Sequence, residues 1–323
     1  MATIADGVSQ PQLWDFWGNI KADLKFFVKN NIYYRKKYKL VRAKQLNIFY
    51  LVFDPTKKHA GIADRLKAVV SCYNVAKANG FKFKVVFETP FHLSSFLTPQ
   101  YAWEASMNDL EYSLLDTKVI NEVSWRRIKK LKNNKQYHCY CYTGNVMPRV
   151  FPDTGRKWRD LFFELFKPSE LLENAYKKIK PTDDNYVSVH FRFVNALERF
   201  ENTFFDNHID NSRKRKELIE RCKKGLFEIA KENPETIIYV FSDSKVFIES
   251  LEGLPFRTFG SKDIGHISEN SNNISQLRSF LDLYVMSKGK AVYRCCASEL
   301  YSISHYALLA ATIGDIPFYD QKV

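Results

Sequence analysis

The segment HAGIADRL, residues 59 to 66, gathers His59, Gly61, Asp64 and Arg65 into one short loop that leads into an apolar-periodic stretch. Each residue type contributes differently. Glycine lets backbone approach a ligand closely. A helix starting there offers unpaired N–H groups and the positive end of its dipole, and Arg65 adds a permanent cation. An anion or a polyhydroxylated sugar suits such a loop. The competing assignment is local: Asp64 caps the helix and Arg65 pairs with a neighbour. Neither the G-x-x-x-x-G-K-[ST] phosphate loop nor G-x-G-x-x-G occurs in the chain, which disfavours an ATPase and a dinucleotide-dependent dehydrogenase.

A second set of chemically able residues lies after residue 185. In YVSVHFRFVNALERFEN, His190 and Arg192 are two residues apart on an alternating stretch, so a strand presents both on one face. The planar guanidinium pairs bidentately with phosphate oxygens and keeps its charge at any working pH. The pair is either a diphosphate site or a self-satisfied structural contact. Glu198, shortly beyond, either faces a reacting sugar or is a solvated helix residue. IIYVFSDS ends in Ser242, Asp243 and Ser244. There a carboxylate accepts hydrogen bonds from a nucleotide base or ribose, or else caps the next helix. In AVYRCCASELYSISHYALLA, the stretch from Ser298 to Ser304, including Ser302, opens a helix whose N–H groups are placed for phosphate, unless Ser298 is only a cap. No Asp-x-Asp bracketed by apolar residues appears: Asp183 and Asp184 adjoin in a turn, and Asp206 and Asp210 fall in a polar loop. The expectation is a metal-independent site with no cofactor, in which cationic side chains stabilise a leaving diphosphate.

The elements that must carry these residues follow from periodicity. QLNIFYLVFD (45 to 54) has the length and β-branched, aromatic character of a buried strand. ADRLKAVVSCYNVAKANG has a helical face ending at Gly80, and FKFKVVFETP is a second strand, which together make one parallel βαβ unit. Between 100 and 180 the pattern predicts a strand at QYHCYCYTG and one amphipathic helix at WRDLFFELFKPSELLENAYKKIK. PTDDN, residues 181 to 185, is a turn-forming boundary that divides the chain into domains 1–180 and 181–323. Strands at 185–194, 235–244, FRTFG and AVYRCC then alternate with helices over RKRKELIERCKKGLFEIAKEN, SKVFIESLEGLP, ISQLRSFLDLYVMSKGK and ASELYSISHYALLAAT. Such alternation predicts a doubly wound parallel sheet with its ligand at the strands' carboxyl ends.

Bulk properties narrow the setting. The chain has 323 residues, 45 % hydrophobic and 15 % aromatic, enough for two cores rather than one. A net charge of +13 attracts an anionic partner, but the basic runs at 35–44 and 125–135 lack the Gly-aromatic pattern of an RNA-binding strand, so nucleic acid is not expected. Six cysteines without paired C-x-x-C spacing disfavour zinc and suit a reducing compartment. The N-terminal stretch lacks the layout of a secretory signal, and no apolar run reaches bilayer length. The expected location is cytoplasmic. The aromatic, basic segment QLWDFWGNIKADLKFFVKNNIYYRKKYK either makes peripheral contact with the inner membrane or packs on the domain that follows.

HAGIADRL, VSVHFR, IYVFSDS and DLYVMSKGKAVYRCCASELYSISHYALLAA, in that order, resemble the GDP-fucose-dependent fucosyltransferase superfamily, which includes the α-1,2 and α-1,6 fucosyltransferases, protein O-fucosyltransferases and bacterial members that build surface polysaccharide. The resemblance implies a GT-B-like α/β fold, two Rossmann-like domains facing across a cleft, with the donor in the C-terminal one. It further implies that Arg192 binds the donor diphosphate, that Asp243 contacts the nucleoside, that Ser298 and Ser302 touch phosphate, and that the loop with Gly61 and Arg65 lines the cleft. Two departures stand out: the second arginine of the family's H-x-R motif is Phe191 or Phe193 here, and the small-residue pair before the last helix reads Cys-Cys-Ala-Ser. The implied function is inverting transfer of fucose from GDP-fucose to a cell-surface glycan or glycolipid such as lipopolysaccharide. Asp64, Glu198 and His59 are the candidate bases. The alternatives are a transferase using another GDP-, UDP- or CMP-sugar, and a non-catalytic carbohydrate- or polyanion-binding protein.

Overall fold

A computed structural model of the chain describes residues 37–57, 59–120, 130–140, 147–179, 185–199, 207–259 and 273–323. The aromatic N-terminal segment up to residue 36, residues 125–129 of the 125–135 basic run and the boundary residues 181–184 lie outside them.

The first half opens as expected. Strand β1 (Ile48–Phe53), helix α1 (Ile62–Ala78) and strand β2 (Lys82–Phe87) form a parallel βαβ unit. Every residue of β1 is buried, which explains its continuous rather than alternating apolar run. Gly80 sits at φ 71° just past α1, a left-handed position that glycine occupies without a Cβ penalty. Strands β3 (Leu97–Pro99), β4 (Glu104–Ala105), β5 (Thr117–Ile120) and β6 (Gln136–Cys139) follow. Of these only β6 was legible in sequence. One all-parallel sheet results, in the order β4-β2-β1-β6-β5.

The single helix expected over 158–180 is divided. Helix α2 (Trp158–Leu165) stops at strand β7 (Phe166–Pro168), which pairs antiparallel with β3, and helix α3 (Glu170–Ile179) resumes after it. Pro168 disfavours helical backbone at Lys167, and β3 supplies a ladder in exchange. In the second half, β8 (Tyr186–Phe191), helix α4 (Ser212–Glu232), β9 (Ile237–Ser242), the short helix α5 (Lys245–Glu249), helix α6 (Asn273–Met286) and β10 (Val292–Cys296) follow the expected alternation. FRTFG does not make a strand: Arg257 forms an isolated bridge to Tyr239. The last helix, α7 (Tyr306–Gly314), begins well beyond Ser298, and the chain ends in β11 (Phe318–Lys322). The second sheet is again parallel, ordered β11-β10-β8-β9.

Both sheets reverse winding direction part-way across, between β1 and β6 and between β8 and β10. Crevices at the carboxyl ends of such strands are the expected ligand positions. A single cluster of buried apolar side chains runs from Phe49 and Leu66 through Leu161 to Phe280 and Leu309, so the two halves share a core. Phe96 stacks on Phe280 at 4.6 Å, and Tyr176 of α3 packs on Tyr284 of α6 at 5.0 Å.

Gly314 closes α7 against the turn after α6, where an added Cβ would meet the Ser287 carbonyl oxygen. Gly314→Ala is therefore expected to lower the unfolding free energy by about 1–3 kcal/mol through overpacking, measured by urea denaturation.

Candidate active site

The β8/β10 crevice is shaped by the loops at 192–199 and 297–305. Arg192 directly follows β8, and its Nη1 donates to Asp243 Oδ2 at 2.8 Å. Asp243, which follows β9, also accepts from the backbone N–H of Phe193 and of Val194, each at 2.8 Å. The carboxylate is thus committed to holding the β8 loop. It does not cap α5, whose N-cap is Ser244 with its hydroxyl accepting from Phe247 N. The clamp leaves Val194 at φ 58°, a left-handed conformation that β-branched residues rarely adopt. Arg192 keeps 16 % of its side chain exposed at the crevice.

Asn207, which carried no recognisable sequence signal, ties the two loops together. Its Nδ2 donates to Phe193 O at 2.7 Å and to Glu299 O at 2.8 Å, and its Oδ1 accepts from Asn195 N. Tyr301 N donates to Arg192 O at 2.9 Å. Arg294 anchors the far end of the β10 loop through Ser304 O and pairs bidentately with Asp320 on β11.

His190 lies beneath this surface. It is 4 % exposed and packs on Tyr306 with ring centroids 5.4 Å apart. Burial, reinforced by Arg192 and Arg294, pushes its pKa down to about 3. The ring is therefore neutral near pH 7. Its buried Nδ1 has no hydrogen-bond partner among the described residues.

Glu198 caps α5 instead of being a solvated helix residue: its Oε1 accepts from Ser244 Oγ at 2.8 Å and Lys245 N at 2.6 Å. Ser242 accepts from Ser244 N at 3.1 Å. Ser298 is exposed and donates to Glu299, while Ser302 donates to Ala297 O. Because α7 starts at Tyr306, neither serine stands at a helix N-terminus. Serine hydroxyls that bond local backbone favour such a loop over continued helix.

The β1 loop is organised around its own polar groups. Gly61 is the N-cap of α1 at φ −61°, a conformation any residue adopts. Arg65, read as a ligand-facing cation, is 3 % exposed; it donates to Ala60 O at 2.8 Å and Thr89 O at 2.9 Å, with its guanidinium over Phe87. His59 Nε2 lies 2.7 Å from Asp54 O, and burial lowers its pKa, partly opposed by that carbonyl. Asp64 is the exception: its side chain is 38 % exposed and paired with Lys67 rather than used as a cap. Lys67 Nζ also lies 3.0 Å from Nδ1 of His305, the residue that ends the β10 loop. This contact joins α1 of the first half to the loop after β10 in the second.

No family model matches the chain, and no curated protein matches it in sequence. Its structure is similar to that of the NodZ alpha-1,6-fucosyltransferase soaked with GDP-fucose, at TM-score 0.53 and 12 % identity over 82 % of this chain and 92 % of that one. NodZ is from Bradyrhizobium. It is also similar to an Arabidopsis thaliana FUT1 variant in complex with GDP, at TM-score 0.55 and 9 % identity over 90 % of this chain and 74 % of that one. The chain has the fold of these fucosyltransferases. That fold is the GT-B-like α/β class expected from the motifs, and at these identities the likeness is one of architecture. Among the described residues, no group of three or more His, Cys, Asp or Glu side chains is placed to hold a metal ion, and no helix is long and apolar enough to cross a membrane.

Two measurements follow from this geometry. Asp243→Ala removes the acceptor for one guanidinium and two backbone N–H groups, and is expected to lower stability by about 3–5 kcal/mol in guanidinium denaturation. Burial pushes the pKa of His190, and of His138 on β6, from the ordinary 6.5 down to about 3 in the folded chain. The unfolded chain then binds more protons between these values, so both contributions are complete above pH 6.5 and decline as pH falls toward 3. Stability is expected to drop on going from pH 7 to pH 4. His190→Gln should reduce that slope by roughly 1 kcal/mol per pH unit.

Proposed function

We propose that the chain is a metal-independent, inverting glycosyltransferase that moves fucose from GDP-fucose to a hydroxyl of a cell-surface glycan or glycolipid. The observation that carries this reading is Arg192, held by Asp243 at the β8/β10 switch point of a fucosyltransferase fold. A guanidinium fixed there is preorganised for the charge that develops on a departing diphosphate. The neutral His190 supports the position from below rather than adding charge.

Of the three candidate bases we favour Asp64. Glu198 caps a helix and His59 is bonded to a carbonyl, whereas Asp64 is half-exposed beside the contact with the donor-side loop. In the transfer, the bond from sugar C1 to the diphosphate oxygen breaks with its electron pair leaving on GDP. The acceptor oxygen bonds to C1 from the opposite face through an oxocarbenium-like state, and the acceptor proton passes to Asp64. The net charge of +13 favours an anionic acceptor such as a glycolipid at the cytoplasmic face of the inner membrane.

The test is thermal denaturation with GDP, UDP, CMP, ADP and GDP-fucose, with and without chelator. GDP at 100 times its dissociation constant is expected to add about 2.7 kcal/mol of stability, insensitive to chelator. Arg192→Ala should abolish the gain. Stabilisation by UDP or CMP alone would move the reading to another donor. No stabilisation by any nucleotide, with salt-sensitive binding to polyanions, would replace the transferase with a binding protein.

A further inference from the structure

Lys67 has no role in the sequence pattern or in the reaction as described. It lies on α1, 1 % exposed, with its ammonium 2.6 Å from Asp64 Oδ1 and 3.0 Å from His305 Nδ1. A lysine is almost never fully buried unless paired. An apolar side chain of similar volume at such a place commonly gives equal or greater stability. Packing alone therefore does not explain the residue.

Its two partners belong to different parts of the site. Asp64 is one turn earlier on the same helix, on the acceptor side. His305 ends the β10 loop, whose opposite flank is joined to Arg192 through Tyr301 N. An ammonium donates to Nδ1 only if that nitrogen is unprotonated, which puts the ring's proton on Nε2. Burial and the charges of Lys67 and Arg294 favour that neutral ring. One cation thus connects the half-exposed carboxylate to the loop that borders the donor crevice.

We propose that Lys67 is a positioning residue for glycosyl transfer: its ammonium holds the Asp64 carboxylate where it receives the acceptor's proton, in register with the donor loop through His305. This inference rests on the transferase reading above. Asp64 would touch the acceptor, whereas Lys67 acts through Asp64.

The experiment uses the full chain and GDP-fucose with water as acceptor, so the unknown glycan is not needed. Hydrolysis yields fucose and GDP, with the water proton taken by Asp64 and released to solvent. Lys67→Met is expected to lower kcat by about tenfold or more, with KM for GDP-fucose and affinity for GDP within about twofold of the unmodified protein. Its melting temperature should be unchanged or higher. Lys67→Arg, which retains the cation, should recover part of kcat. His305→Gln, which retains an acceptor for the ammonium, should lose less than His305→Leu. The Lys67→Met/His305→Leu double variant should be no slower than the worse single, as for residues acting as one unit.

GDP binding with Lys67→Met turning over within about twofold of the unmodified protein would overturn this inference and leave the transferase reading intact. Equal kcat in His305→Gln and His305→Leu would overturn the link to the donor loop. Failure of the unmodified protein to bind GDP would overturn the donor reading, and this inference with it.

Discussion

The Asp243 carboxylate is buried just beyond the carboxyl end of β9, beside β8, and a charge so placed must be given donors or be expelled. Its donors include the Arg192 guanidinium and the successive N–H groups of Phe193 and Val194. Meeting that demand bends the chain sharply after β8 and holds Val194 at φ 58°, a strain of order 1–3 kcal/mol that the loop keeps because the carboxylate requires it. The same bend brings the Phe193 carbonyl to Asn207 and the Arg192 carbonyl to Tyr301, so the β8 and β10 loops form one surface. An arginine on a free loop would lose side-chain entropy on meeting a phosphate; here much of that ordering has already been done by folding.

The second organising feature is the seam between the halves. The shared apolar core, the Phe96–Phe280 stack and the donation from Arg159 Nε to Ile313 O hold α1, α2, α6 and α7 together. Several polar residues that a sequence reading sends to a ligand are instead used to hold this framework. Arg65 bolts the β1 loop to Thr89, and Glu198 closes α5. Their diversion is physically ordinary, since a buried guanidinium or an open helix end costs more unsatisfied than a solvated side chain gains. What remains beside the contact between the two edges is a small set: Arg192 and the two joined loops on one side, Asp64 with Lys67 on the other.

Much of the architecture was legible because it is locally encoded. β1, β2, β8, β9 and β10 are apolar, β-branched runs of strand length, and α1, α4 and α6 have helical periodicity with recognisable ends. Where local and tertiary preferences compete, the reading failed. The helix over 158–180 is interrupted because β3, distant in sequence, offers Phe166–Pro168 a ladder. The helix expected at Ser298 starts at Tyr306 because the intervening residues bond instead to Arg192, Arg294 and one another. Short strands such as β4 have too few residues to show a period, and β11 is polar and exposed at an edge.

By itself, then, the sequence determined the alternation of strands and helices, the parallel class of both sheets, and the loops after β1, β8, β9 and β10 as the places where chemistry would sit. These follow from residue type and spacing, which local backbone physics converts directly into periodic structure. Only the tertiary structure decided which polar side chains in those loops are left to act. Arg192 and Arg65 carry the same charge in similar loops, yet one borders the crevice and the other is sealed beneath Phe87 and Thr89. Asp243, Glu198 and Asp64 are equally good acids in sequence, and they part according to how many donors folding brings to each. That count depends on contacts between residues tens to hundreds of positions apart, as Lys67 with His305 shows, and such contacts exist only once both sheets are packed.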